Sequence, residues 1–304
     1  MTINFIDSKI LYKFIGEVSL DWADDDVTRN LPIDAPVIGI CHTITGESNS
    51  HRGFMTYAAN RGWRSCVLNR RGHSGMTLKV VPHFSVMGNV DDTVLMVDRM
   101  RKHYPNNFIG LAGISAGSGQ VVSYIGREGG QVRVNAATVL CPAWDMPSWL
   151  TYLQNKYPWL DGYLTRGIQD HYLKPIRNQP ALQAMQKTVE KALTAKNLGE
   201  WMEYAAPLAG CSDLNHYYQE NNPMQFFQGN TIPALVLNAL DDFLSLKENI
   251  RYDVKDQVMN YALAITDYGS HIAYNEGSFA QGSYMERVTL DFFDAVMLEN
   301  QNSN

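Results

Sequence analysis

The chain predicts an α/β fold: a mostly parallel central sheet flanked by helices, carrying a helical cap insertion over about residues 144–230. Three observations predict it. Short apolar runs of strand character alternate with stretches of helical periodicity, the pattern of parallel strands joined by crossovers. Polar residues able to do chemistry stand just past the carboxyl ends of several of those runs, where open parallel sheets collect functional groups. Finally, Gly113-Ile114-Ser115-Ala116-Gly117 follows one of the runs directly. A serine with glycines two places away on each side, between a strand and a helix, is the sequence form of a nucleophile elbow.

Taken in order, residues 1–36 supply opening strands and a turn at Asp24-Asp25-Asp26, which reads as a solvated loop, with a metal site the alternative. Val37–Cys41 is a strand, and His42-Thr43-Ile44-Thr45-Gly46 is the loop after it. A strand from Trp63 ends at Asn69; Arg70-Arg71-Gly72 then opens a loop, where one arginine is expected to bind a carboxylate in the core, with an acidic part of a substrate the alternative. Asp91-Asp92 precede the periodic Val94, Leu95, Val97 and Met100 and read as helix caps. Phe108–Ala112 is the buried strand leading into the pentapeptide, and Ala136–Cys141 is the next. Two late strands follow, Ala234–Asn238 and Tyr261–Ile265. Met285, Val288, Phe292 and Val296 recur at helical spacing and read as a core face. The stretch between Cys141 and Ala234 far exceeds a crossover helix. It is rich in aromatics, reads as helical over Pro180–Lys196, and is expected to cover the serine within a single domain, residues 1–304.

A serine hydroxyl needs a base, and the base needs an orienting carboxylate. In α/β-hydrolases they follow in the order Ser, Asp or Glu, His. Leu240-Asp241-Asp242 comes straight after one late strand, and Asp267-Tyr268-Gly269-Ser270-His271 after the other. Asp241 is the preferred acid because it comes first after the strand, with Asp242 the alternative and one of the pair expected to cap a helix near Ser245. His271 is the base; His51, His83, His103, His171 and His216 lie in polar or loop-like surroundings and read as surface or packing residues. The oxyanion donors are expected to be the amide of Ala116 and an amide of the 43–44 turn, Ile44 in preference to Thr43. His42 reads as a residue that braces the loop.

These segments resemble the YheT-like branch of the α/β-hydrolase superfamily, with its animal lipases and phospholipases and its fungal medium-chain acyl ester synthase/esterases. The resemblance rests on Leu20-Asp21-Trp22, on Asn69-Arg70-Arg71-Gly72-His73-Ser74-Gly75 with Leu78 and Pro82, on His103-Tyr104-Pro105 and Tyr124-Ile125-Gly126 around the elbow, on Asn238–Asp242, and on Gly269–Gly277. Phe243, Gln120 and Thr43 depart from the pattern, at positions that bear on substrate preference and oxyanion geometry. The resemblance implies the α/β-hydrolase fold and a serine esterase acting on acylglycerol, phospholipid or short- or medium-chain acyl esters through an acyl-enzyme. Acyl transfer to an alcohol and a non-catalytic binding protein are the alternatives.

Composition agrees. At 304 residues, 45% hydrophobic, the chain can bury a large core. A net charge of −6 without basic clusters argues against nucleic acid or an anionic membrane as main partners. Cys41, Cys66, Cys141 and Cys211 are scattered without metal-ligand spacing, so reduced buried thiols and neither metal nor cofactor are expected. The first residues lack a signal-peptide apolar region, and no stretch reaches the length of a membrane span. A soluble cytoplasmic protein is therefore expected, with room for peripheral membrane contact through the cap. Its oligomeric state is left open.

Overall fold

Eight strands build one sheet in the computed structural model, which describes residues 4–12, 16–78, 82–84, 90–256, 258, 260–279 and 281–302. They are β1 (Asn4–Tyr12), β2 (Gly16–Asp24), β3 (Val37–Cys41), β4 (Arg64–Asn69), β5 (Ile109–Ile114), β6 (Ala136–Leu140), β7 (Ala234–Ala239) and β8 (Tyr261–Thr266). Their order is β1-β2-β4-β3-β5-β6-β7-β8. β1, β2 and β4 pair antiparallel, and every pairing from β4 to β8 is parallel. The side chains of β3, β5, β6 and β7 are buried throughout, as covering both faces of a parallel sheet requires.

The helices are α1 (Asp26–Arg29), α2 (Arg52–Asn60), α3 (Val90–His103), α4 (Ala116–Glu128), α5 (Met146–Lys156), α6 (Pro158–Ile168), α7 (Lys174–Ile176), α8 (Gln186–Leu193), α9 (Leu198–Ala205), α10 (Leu214–Asn221) and α11 (Tyr284–Asn302). Met96 and Met100 of α3 with Val121 and Ile125 of α4 pack one face of the sheet. Phe54 of α2 with Leu290 and Phe293 of α11 pack the other. The segment between β6 and β7 carries α5 to α10 and has a core of its own around Leu153, Leu173, Trp201 and Tyr217. Ala116 and Phe84 belong to that core, which seats the insertion against the start of α4.

Three local expectations need correction. Asp25 is the N-cap of α1 and forms a capping box with Thr28, while Asp24 pairs with Arg29, so the acidic trio is structured. Asp91 and Asp92 lie inside the first turn of α3, and Asp92 is buried against Arg71, whose Nε donates to both carboxylate oxygens at 2.9 and 3.0 Å. Burial raises the Asp92 pKa against the pull of that guanidinium. Pro180–Lys196 is not one helix: Pro180–Met185 winds as a 3₁₀ turn, and Met185 leaves helical backbone (φ −116°, ψ 19°) before α8 begins. Proline at the first turn suits a fresh start better than a continuous helix. All four cysteines are buried and unpaired. Among the described residues no helix is long and apolar enough to cross a membrane.

Candidate active site

β3 has β4 on one side and β5 on the other, so the chain order reverses around it. At such a switch point the loops leaving the carboxyl ends diverge and open a crevice. The loop after β5 places Ser115 there. Its backbone, at φ 54° and ψ −117°, lies outside the regions that L-residues ordinarily occupy. The flanking glycines have a steric cause. A Cβ on Gly113 would stand 2.3 Å from Gly117 O, and one on Gly117 would stand 2.0 Å from Cys41 O. Only bare backbone fits on either side of so sharp a turn.

His271 reaches the serine from the loop after β8, with Nε2 2.7 Å from Ser115 Oγ. That loop is folded by Ala273 N and Tyr274 N, which donate to Gly269 O at 3.1 and 3.2 Å. Position 269 must lack a side chain because a Cβ would lie 2.5 Å from the Tyr274 ring.

The carboxylate behind the imidazole belongs to Asp242, not Asp241. His271 Nδ1 lies 2.9 Å from Asp242 Oδ2 and 3.1 Å from Oδ1. Asp242 is buried, and Oδ1 also accepts from Leu244 N at 2.7 Å and Ser245 N at 2.8 Å. Asp241 is exposed and accepts from Ser270 N at 2.7 Å. The turn is held from below. Asn238 Nδ2 donates to Ser245 Oγ at 2.9 Å, and Leu240 N donates to Thr266 O at 2.8 Å. One tight turn thus points the first aspartate outward and the second inward. Amide capping and the imidazole contact, assigned to different residues from sequence, fall on the same carboxylate.

Ala116 begins α4, so its amide has no intrahelical acceptor, and the residue lines the crevice beside Ser115. Ile44 lines the same cavity; Thr43 does not. The cavity encloses about 560 Å³ including its open mouth. Apart from Ser115, Ser118 and His271 its walls are apolar, with Met146, Trp149, Leu164, Leu198 and Pro223 from the insertion and Leu244 from the acid turn. Phe243 packs edge-on against Tyr157, tying that turn to the start of α6.

Two residues at strand ends stand at the site, a place the sequence reading did not assign them. Cys141 follows β6, holds φ 54° and lines the cavity, and burial pushes its thiol well above the ordinary range. Its sulfur lies within 4.8 Å of ligand atoms of Asp242 and His271, although a metal held there would take atoms that the serine–imidazole–carboxylate contacts already use. Arg70 follows β4 and is buried behind the loop after β3. The rule that points to Asp242 and His271, polar residues just past buried strands, would have found both. His42 and His73 are buried with pKa values well below normal, chiefly through desolvation and then the nearby Arg70 charge. His51 is buried too, a packing residue and not a surface one.

Comparison with known proteins agrees with this fold. Residues 34–252 match the Hydrolase_4 family model, described as serine aminopeptidase, S33. The chain is 28% identical over 291 residues to phospholipase ABHD3 of Bos taurus, covering 93% of this chain and 69% of that one. It is 23% identical over 299 residues to medium-chain fatty acid ethyl ester synthase/esterase 2 of Saccharomyces cerevisiae, covering 89% and 64%. The solved Pyrococcus furiosus esterase Pf2001 superposes with a TM-score of 0.53 at 16% identity, over 96% of this chain and 93% of that one, a likeness of fold. With the match spanning most of its length and the elbow at the switch point of the sheet, the chain belongs to the serine aminopeptidase S33 family of α/β-hydrolases.

Proposed function

We propose that the protein is a carboxylic ester hydrolase in which Ser115 is the nucleophile, His271 the general base and Asp242 the orienting acid. One observation carries this: a 2.7 Å hydroxyl–imidazole contact, backed by a buried carboxylate, opens into an apolar cavity. Ser115 Oγ attacks the ester carbonyl as His271 Nε2 takes its proton, and Asp242 stabilises the imidazolium. The amides of Ala116 and Ile44 hold the oxyanion. The imidazolium then protonates the leaving alcohol. Water, deprotonated by His271, attacks the acyl carbonyl, and the imidazolium returns the proton to Ser115 Oγ as the acid leaves.

The cavity supports an ester with an apolar acyl chain over an aminoacyl substrate. An aminopeptidase needs an anion to receive the substrate ammonium, and among the described residues those lining this cavity include no carboxylate. On the outer side of α6, Trp159 and Tyr163 stand exposed four residues apart, with Lys156 and Arg166 nearby. Aromatic rings beside cations suit peripheral contact with a lipid surface.

The test is a series of p-nitrophenyl esters of rising chain length, run beside aminoacyl anilides and with ethanol as a competing acceptor. Expected are ester cleavage that improves from acetate toward medium chains, free acid as the main product, and a fall of roughly 10⁴-fold or more in kcat for Ser115→Ala. Full turnover by Ser115→Ala, or preferential cleavage of the anilides, overturns the proposal.

A further inference from the structure

We propose that Arg70 and His42 are positioning residues that aim the Ile44 amide at the oxyanion; the inference rests on the reading of Ser115 as nucleophile. The observation is a convergence of donors on one oxygen. The Thr43 carbonyl accepts from His42 Nδ1 at 2.8 Å, from Arg70 Nη2 at 3.0 Å and from Gly46 N at 3.1 Å. The bond from Gly46 alone closes the turn and satisfies the carbonyl. The other two donors come from side chains that are almost wholly buried, His42 at 0% and Arg70 at 1% exposure. The fold therefore commits two desolvated side chains to a carbonyl that already has a partner.

Peptide planarity makes this matter. Among the described residues no peptide bond is cis, so the Thr43 carbonyl and the Ile44 N–H point in opposite directions across one rigid plane. Donors that pull the carbonyl back into the protein hold the N–H forward, on the side where Ile44 lines the cavity with Ser115 and Ala116. A charged donor on the carbonyl also polarises the peptide and strengthens its N–H as a donor. The same geometry selects Ile44 over Thr43 and shows how a loop with threonine in place of glycine still presents a fixed amide.

Protonation is consistent with the arrangement. A carbonyl only accepts, so the 2.8 Å contact puts the proton of His42 on Nδ1. The 3.3 Å approach of Arg70 Nη2 to that nitrogen then joins two donors and is no bond; Nη2 donates instead to the carbonyls of Thr43 and, at 3.2 Å, His42. Burial and the adjoining guanidinium keep the imidazole neutral, which leaves Nδ1–H a donor of fixed direction.

The experiment compares Arg70→Met, Arg70→Lys, His42→Phe and His42→Asn with the parent and with Ser115→Ala. Each is assayed for kcat and KM on a p-nitrophenyl ester and for binding of a trifluoromethyl ketone, whose hemiketal carries an oxyanion. The matching methyl ketone, which reports ground-state binding, is the control. Arg70→Met is expected to lose about 10–100-fold in kcat and His42→Phe about tenfold, with KM within about twofold, since each weakens one oxyanion donor without removing it. Trifluoromethyl ketone affinity should fall by the same factors while methyl ketone affinity holds. Arg70→Lys and His42→Asn, which keep a donor in reach, should recover most of the loss. If Arg70→Met does not fold, the two His42 variants decide. Retained kcat and trifluoromethyl ketone affinity, or a loss confined to KM, overturns the positioning role. An inactive Ser115→Ala in that case leaves the nucleophile assignment standing, whereas an active one removes both.

Discussion

The carboxylate of Asp242 receives three donors, the imidazole of His271 and the amides of Leu244 and Ser245, in a place where its side chain is shut off from water. An anion so held keeps its orientation while the imidazole changes charge, which is the role an orienting acid must fill. Asp241 is exposed and accepts from the Ser270 amide near the surface. Asp242→Asn is therefore expected to lower kcat/KM by roughly 10³–10⁴-fold and Asp241→Asn by no more than about threefold, measured on one ester. The reverse ranking would reassign the acid. The sequence could not settle this choice. Adjacent aspartates after a strand look alike until the turn that separates their directions is known, and that turn depends on Asn238 and Ser245, whose contact spans seven positions. Ser115 and His271 were legible because sterics and strand-end position leave marks in the local residues.

Each strand end delivers one part of the site: β3 the Ile44 loop, β5 the elbow, β7 the acid turn and β8 the histidine loop. The elbow is the least forgiving. Gly117→Ala would drive a methyl group into the Cys41 carbonyl at 2.0 Å, forcing α4 away from β3. The expected cost is at least 1–3 kcal/mol, the ordinary range for overpacking, together with loss of Ser115 reactivity. Gly130→Ala, where an added Cβ meets nothing within 4 Å, is the control and should leave melting temperature and turnover near the parent values. Equal effects of the two substitutions would contradict the steric account. The buried strands were readable to within a residue or two because continuous apolar runs between polar turns have few other uses. The insertion was readable as helical and aromatic but not in detail. Its breaks, such as the 3₁₀ turn at Pro180–Met185, follow from how short helices pack on one another.

For the molecule as a whole, buried histidines tie stability to pH. Burial holds the His51 pKa at about 4, against about 6.5 in an unfolded chain. Below pH 6.5 the unfolded chain gains a proton that the folded one refuses. The contribution of His51 is thus complete above that pH and is lost as pH falls toward 4, at about 1.4 kcal/mol per pH unit. Glu286 works in the opposite sense: burial raises it to about 7, so acidification from there to its unfolded value favours the fold. His51→Gln isolates the first effect. Urea titrations between pH 7 and 4.5 should show the variant losing less stability than the parent; parallel profiles would mean that His51 is charged in the fold. Net charge and composition gave no hint of this, because a histidine's burial depends on neighbours brought in from α2 and the sheet.

The proposed ester hydrolysis rests on Ser115 being activated by His271. The most direct measurement is covalent labelling with a fluorophosphonate, followed by peptide mass mapping. Stoichiometric modification of the peptide containing Ser115, abolished in His271→Ala and slowed in Asp242→Asn, is the expected result. An unlabelled protein, or a label on another serine with Ser115 untouched, would contradict it.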